Sequence, residues 1–317
     1  MARNSRKQQH GESSAIMSDE DVTRTQTFPV EGAVELDVNV TFGRVDISLD
    51  AENEAVVEVR HDPSIQQPWA QSVTSVLNWV TERFGDQWTA QWGTDLRGGS
   101  GDAVEQTRIE LTGNRLVVHA PKALPLRGTP LAVTVRAPSG THVQVRAGSA
   151  NVTVTGAAGR ADILTGSGEV KLDRADGAAT VRTGTGPVRL GPALSGLQVR
   201  TGGGDVEASS LSGSATLVTG TGDIWLGAAA GEIMARTGSG DLSVADAAGG
   251  TLELITGSGE IRVGVRPGVA AEIDLTSGSG KVSTELDLAQ EPPDGEIPLQ
   301  VRARTGSGSA VVTRAAQ

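Results

Sequence analysis

The chain contains no cysteine and no tyrosine, and aromatic residues make up only 3% of it. Without cysteine there is no disulfide, no thiolate metal site and no cysteine nucleophile, so stability must come from packing and backbone pairing. So few aromatic side chains exclude a core built on large rings. Basic charge is short as well: 27 Lys and Arg stand against 38 Asp and Glu, a net −11. Affinity for phosphate backbones rests on clustered cations, so this balance argues against a nucleic-acid partner. No run of about 18 apolar residues is available to span a bilayer. Met1–Thr27 mixes Arg3, Arg6 and Lys7 with Glu12, Asp19, Glu20 and Asp21 and has no apolar secretory core. The expectation is a cytoplasmic protein with a disordered tail over residues 1–27.

What the chain does have is glycine, 42 of 317 residues, and a 37% apolar content too regularly placed for a disordered Gly/Ser chain. The glycines recur in a motif of the form Thr-Gly-x-Gly-acid-apolar. It begins as Thr165-Gly166-Ser167-Gly168-Glu169-Val170 and returns at Thr183, Thr201, Thr219, Thr237 and Thr256. Looser copies start at Ser277 and Thr305, with a degenerate forerunner at Ala147. First glycines at 148, 166, 184, 202, 220 and 238 are spaced by 18, and the spacing loosens to 19, 21 and 28 toward the C-terminus. A fixed period of this kind is the mark of a repeat architecture.

Around each glycine pair, apolar and polar residues alternate, as Ala179 and Val181 before a turn or Val188 and Leu190 after one. Period two means strands with one buried face. Independent hairpins need not keep phase, whereas stacked coils must. The sequence therefore predicts an all-β chain, a single-stranded parallel β-solenoid with coils of 18 residues, in which Gly166, Gly168, Gly184, Gly186, Gly202, Gly204, Gly220, Gly222, Gly238, Gly240, Gly257 and Gly259 make the structural turns. These glycines would permit positive φ or tight bends. Residues 28–143 read as less regular coils of the same stack and 144–317 as the regular repeats. Within the former, 64–100 carry Trp69, Leu77, Val80, Phe84 and Trp88 at helical spacing, an inserted amphipathic helix that caps the fold or binds a partner. Arg83 between Glu82 and Asp86 leaves that helix without a basic polar face for a membrane surface.

The TGSGD-type repeats, with the segment from Gly268 to Ser277, the Pro-rich loop from Glu291 to Glu296 and the closing Val301-to-Gly308 stretch, resemble the bacterial "putative adhesin" family of GSG-repeat proteins. The resemblance implies a β-solenoid across residues 28–315 and supplies no catalytic residues.

Motifs for chemistry are absent. Gly278-Ser279-Gly280-Lys281 lacks the glycine and hydroxyl residue of a P-loop, and the acid column at Glu169, Asp205, Asp223, Asp241 and Glu260 has the wrong spacing for calcium nonapeptides. That column is expected to pair with Arg182, Arg200 and Arg236 across coils. His10, His61, His119 and His142 all lie outside the repeats, and Trp225 is the one aromatic within them. No catalytic residue, metal site or cofactor is predicted. The expected function is a non-enzymatic scaffold or adhesin-like interaction protein acting on an unknown protein partner or by self-association. The competing readings are a polymer built through uncapped ends, one of them the edge at Val311–Val312, and a polysaccharide-active enzyme.

Overall fold

In the computed structural model, residues 22–63, 100–124, 126–286 and 297–316 are described. The expected helical residues Trp69 to Trp88 and the loop at 291–296 lie outside them. The described chain is all-β, with only a short helix α1 (Ser100–Glu105) and one turn of 3₁₀ helix (Leu126–Gly128).

Two parallel ladders lie back to back. The first runs in space from β5 (Arg115–His119) through the leading half of β2 (Glu35–Ala51) and of β7 (His142–Ala158) to β8 (Arg160–Ser167), β10 (Ala179–Thr185), β12 (Leu197–Thr201) and β14 (Ala215–Thr219). It goes on through the trailing halves of β15 (Ile224–Thr237) and β16 (Leu242–Thr256) to β20 (Leu299–Thr305) and β18 (Ala271–Ser277). The second runs from β6 (Leu131–Pro138) through the trailing halves of β2 and β7 to β9 (Val170–Ala175), β11 (Val188–Ala193) and β13 (Val206–Leu211). It continues through the leading halves of β15 and β16 to β17 (Ile261–Val265), β21 (Ala310–Arg314) and β19 (Val282–Thr284). Residues eighteen apart are direct partners, as Thr183 with Thr201 and Val188 with Val206. At ~4.8 Å per strand, eleven levels span roughly 50 Å.

The alternating apolar residues form the core between the ladders: Val181, Val199 and Leu217 face Val188, Val206 and Ile224, all essentially inaccessible. Where the repeat lengthens to 19, the extra residue is absorbed by a bulge between Ala229 and Ala230, after which Gly231 pairs with Gly250 and the phase is restored.

A single parallel solenoid does not describe the whole chain, because the sheet is mixed. β3 (Glu54–His61) lies antiparallel on β6, β1 (Thr23–Pro29) antiparallel on β3, and β4 (Arg108–Thr112) antiparallel on β5. Antiparallel strands thus close the N-terminal end of both ladders. β1 occupies residues expected as tail, and β7 runs unbroken across the expected boundary at 143/144. Arg24 of β1 secures the end of α1, its Nη1 donating to the Glu105 and Thr107 carbonyls at 2.5 and 2.6 Å.

Sequence order and spatial order part company at the C-terminal end. β20 and β21 are not outermost: they lie between the β16–β17 level and the level made by β18 and β19. Thr305 Oγ1 donates to the Gly259 carbonyl and Ser277 Oγ to the Gly308 carbonyl, so the same turn contact passes through the inserted level. Among the described residues the uncovered edge is therefore 271–284 and not Val311–Val312. The spacings of 21 and 28 record this insertion.

Candidate functional site: the outer face of the first ladder

The glycine corners are stacked backbone and carry no reactive group. Each repeat threonine is buried, and Thr219 and Thr237 serve two levels at once. Thr237 Oγ1 accepts from the Gly240 N–H at 3.1 Å and donates to the Gly222 carbonyl of the level before at 2.9 Å; Thr219 does the same with Gly222 and Gly204. The glycines are required mainly by closeness. A Cβ on Gly204 would stand 1.8 Å from the Gly186 oxygen, although the Gly204 φ is not positive; among the predicted turn glycines only Gly168 and Gly186 have φ in the left-handed region.

The acid column is equally committed. Asp205, Asp223 and Asp241 each accept, through Oδ1, the backbone N–H of the next level's acidic residue at 2.9, 2.8 and 2.7 Å, and Asn151 does so for Glu169. These side chains replace ladder bonds at the corner, as an Asx side chain does at a turn. The expected pairing with Arg182, Arg200 and Arg236 does not form. Glu169 pairs instead with Lys171 and Arg189, Arg189 also reaches Glu207, and Glu260 pairs with Arg262, all on the second ladder.

That leaves a line of arginines on the outer face of the first ladder. The position just before each repeat threonine points outward, and the ladder register brings Arg146, Leu164, Arg182, Arg200, Val218, Arg236, Ile255 and Arg304 into one column. The five guanidinium groups are exposed and have no ion-pair or hydrogen-bond partner among the described residues. Beside the column lie open clefts of about 560, 280 and 270 Å³. The largest is floored by Thr180, Gln198, Thr216 and Met234, and the second includes Arg146, Leu164 and Arg182 themselves.

At the N-terminal end of this face sits a buried acid. Asp37 is 4% exposed, with Arg115 Nη2 at 2.5 Å from one carboxylate oxygen and His119 Nε2 at 3.4 Å from the other. Burial alone would raise its pKa, but the neighbouring Arg115 and His119 outweigh burial and hold it below the usual carboxylate range. Among the described residues a nucleophile with a base in reach is not found beside it. Among the described residues no His, Asp and Glu cluster could hold a metal ion, and no helix is long and apolar enough to cross a membrane.

A family model described as Toastrack DUF4097 matches residues 106–308, well over half the chain. The chain belongs to this Toastrack family. The Toastrack chain is also similar to three solved structures. One is a "putative adhesin" from Bacteroides fragilis NCTC 9343, at 11% identity and TM-score 0.40, covering 93% of this chain and 98% of that one. The second is a "putative adhesin" from Parabacteroides distasonis ATCC 8503, at 10% identity and TM-score 0.35, with 92% and 98% covered. The third is a "putative cell adhesion protein" from Clostridium sporogenes ATCC 15579, at 10% identity and TM-score 0.23, with 92% and 100% covered. No curated protein matches it.

In the Toastrack chain the predicted turn glycines thus come together as two continuous backbone columns that hold the levels in contact. The arginine column was visible in the aligned repeats as the residue preceding each threonine, Arg182, Arg200 and Arg236 among them. Sequence reasoning paired it with the acids because both flank the same corner. The corner separates them: the arginines end one ladder and the acids begin the other.

Proposed function

We propose that this Toastrack protein is a non-enzymatic, adhesin-like β-solenoid that acts through a binding face, the outer surface of its first ladder. The observation that carries this reading is the line of five exposed arginines without carboxylate partners, on a chain whose net charge is −11. Exposed side chains on a sheet ordinarily find opposite charges across strands. Here Arg189 and Arg262 on the second ladder do, as do Arg115 and Arg160 on the first, whereas the five arginines of the column do not. The absence of a convergent acid–base pair within the repeats accords with binding and not turnover.

The test is a panel of polysaccharides and peptides scored for both retention and cleavage by the full chain. Retention without cleavage, reduced by replacing the arginines, is the expected result. Turnover that disappears when Asp205, Asp223 and Asp241 are replaced together would overturn the non-enzymatic reading.

A second reading, self-association, is favoured by the end formed by β18 and β19. Ala271, Ile273 and Leu275 are only half-buried there, and Val282 is 49% exposed. Unpaired strand edges template further pairing. Because the opposite end is closed by antiparallel strands, a two-fold dimer through 271–284 fits this edge better than an open polymer. Sedimentation across a concentration series distinguishes it: a dimer that dissociates on Ile273→Lys supports it, and a monomer at every concentration removes it.

A further inference from the structure

We propose that the arginine column is a binding site for an extended anionic polysaccharide, a uronate-rich chain lying along the stack axis and crossing the strands at right angles. This deepens the binding-face reading above and rests on it.

Three observations point to that class of ligand. The charges form a line and not a cluster. Arg146, Arg182, Arg200, Arg236 and Arg304 lie on one register column, successive arginines being one or two levels of ~4.8 Å apart. A small anion could engage one or two of them, whereas an extended polyanion with carboxylates at comparable intervals engages all five. The cations are arginines throughout, and the planar guanidinium fork matches a carboxylate with two parallel hydrogen bonds. Their side chains are free to do so, having no partner among the described residues.

The column is also amphipathic. Leu164, Val218 and Ile255 are interspersed among the arginines in the same line, and Leu164 is 48% exposed. A pyranose ring presents apolar C–H faces between its charged and hydroxyl groups, and such a pattern suits those faces. Thr180, Gln198 and Thr216 in the adjoining cleft offer donors and acceptors for ring hydroxyls.

A single-stranded nucleic acid is the other linear polyanion, and the face disfavours it. Sequence-tolerant binding of such strands relies on aromatic platforms for the bases. The exposed tryptophan of the repeats, Trp225, projects from the second ladder, in register with Glu207 and Ser243. The remainder of the acidic surface opposes general adhesion of polyanions and confines them to the column.

The experiment uses the full chain on surfaces bearing polygalacturonate, the same polymer methyl-esterified to remove its charge, and poly-dT. It compares the unaltered protein with R182Q/R200Q/R236Q and with R189Q/R262Q from the second ladder. Identical circular dichroism and melting would show each variant to be folded, and R146Q/R304Q serves as a second variant should the triple one fail that check. Retention on polygalacturonate that weakens with salt, falls about tenfold in the triple variant and persists in R189Q/R262Q is expected. Equal retention on the esterified polymer, still lost in the triple variant, would overturn the anionic assignment while leaving the binding face intact. Stronger retention on poly-dT would overturn the sugar in favour of nucleic acid. Retention untouched by either first-ladder variant would overturn both the column and the face. No retention on any surface would overturn the present proposal.

Discussion

A Cβ placed on Gly204 would lie 1.8 Å from the oxygen of Gly186, inside any permissible contact, while one on Gly196 would meet nothing nearer than Ser214 Oγ at 3.8 Å. Both glycines sit at corners between strands and neither has positive φ. Their difference is therefore one of space alone. Gly204→Ala should force adjacent levels apart and destabilise by about 1–3 kcal/mol, as overpacking does, whereas Gly196→Ala should stay within about 0.5 kcal/mol. Urea unfolding midpoints of the two variants test this, and equal values would contradict it. The glycine pairs were legible in the sequence as turns, but the reason for them was not. Sequence suggests φ because glycine is known for it; only the stacking shows that a neighbouring carbonyl occupies the place of the missing side chain.

Asp37 is a second residue whose role depends on placement. Its carboxyl is held low by Arg115 and His119 against the effect of burial. A group whose folded pKa is depressed contributes stability above its unfolded pKa of about 3.9 and loses it as pH falls through the folded value. Stability at neutral pH should therefore include this contribution, and acidification below about pH 4 should remove it. Asp37→Asn is expected to lower stability at pH 7 and to flatten the acid limb of the stability profile. An acid limb identical to that of the unaltered protein would contradict the assignment. Nothing in the sequence marked this acid: Asp37 falls at an outward position of an alternating strand, and Arg115 and His119 from the neighbouring strand lie against it.

At the scale of elements, the alternation of apolar residues fixed which strands exist and which faces they bury, and the 18-residue phase fixed their register from β8 to β16. It could not fix the spatial order at the ends. β20 and β21 keep the same motif as their neighbours, so the repeat pattern alone admits either position in the stack; the choice is made by which level Thr305 and Ser277 meet. The antiparallel cap escaped for a different reason, since strand periodicity does not distinguish parallel from antiparallel pairing. The insertion yields a test. Excising 268–296 removes the outermost level and joins chain ends that already belong to adjacent levels, so the product should fold with nearly unchanged melting. Truncation before Leu299 removes an equal number of strands but strips β18 and β19 of their partners. It should cost more stability and leave residues 271–284 protease-sensitive. The reverse ranking in limited proteolysis and thermal melting would contradict the order of levels.

Among the described residues the molecule is a closed N-terminal cap, two back-to-back ladders of regular levels and an uncovered C-terminal edge, with acids bonded into one corner and arginines unpaired beside it. The proposed binding face depends on those arginines being collinear, which in turn depends on the levels stacking in the stated order. Because the chain has no cysteine, a pair can be introduced and its disulfide read without background. Ile255 and Arg304 are register partners, whereas Ile255 and Thr276 are separated by one whole level. Neighbouring levels at ~4.8 Å fall within disulfide reach, and positions about twice as far apart do not. Mild oxidation followed by mass spectrometry should show an internal cross-link in I255C/R304C and none in I255C/T276C. A cross-link in the second pair and not the first would break the arginine line and contradict the account.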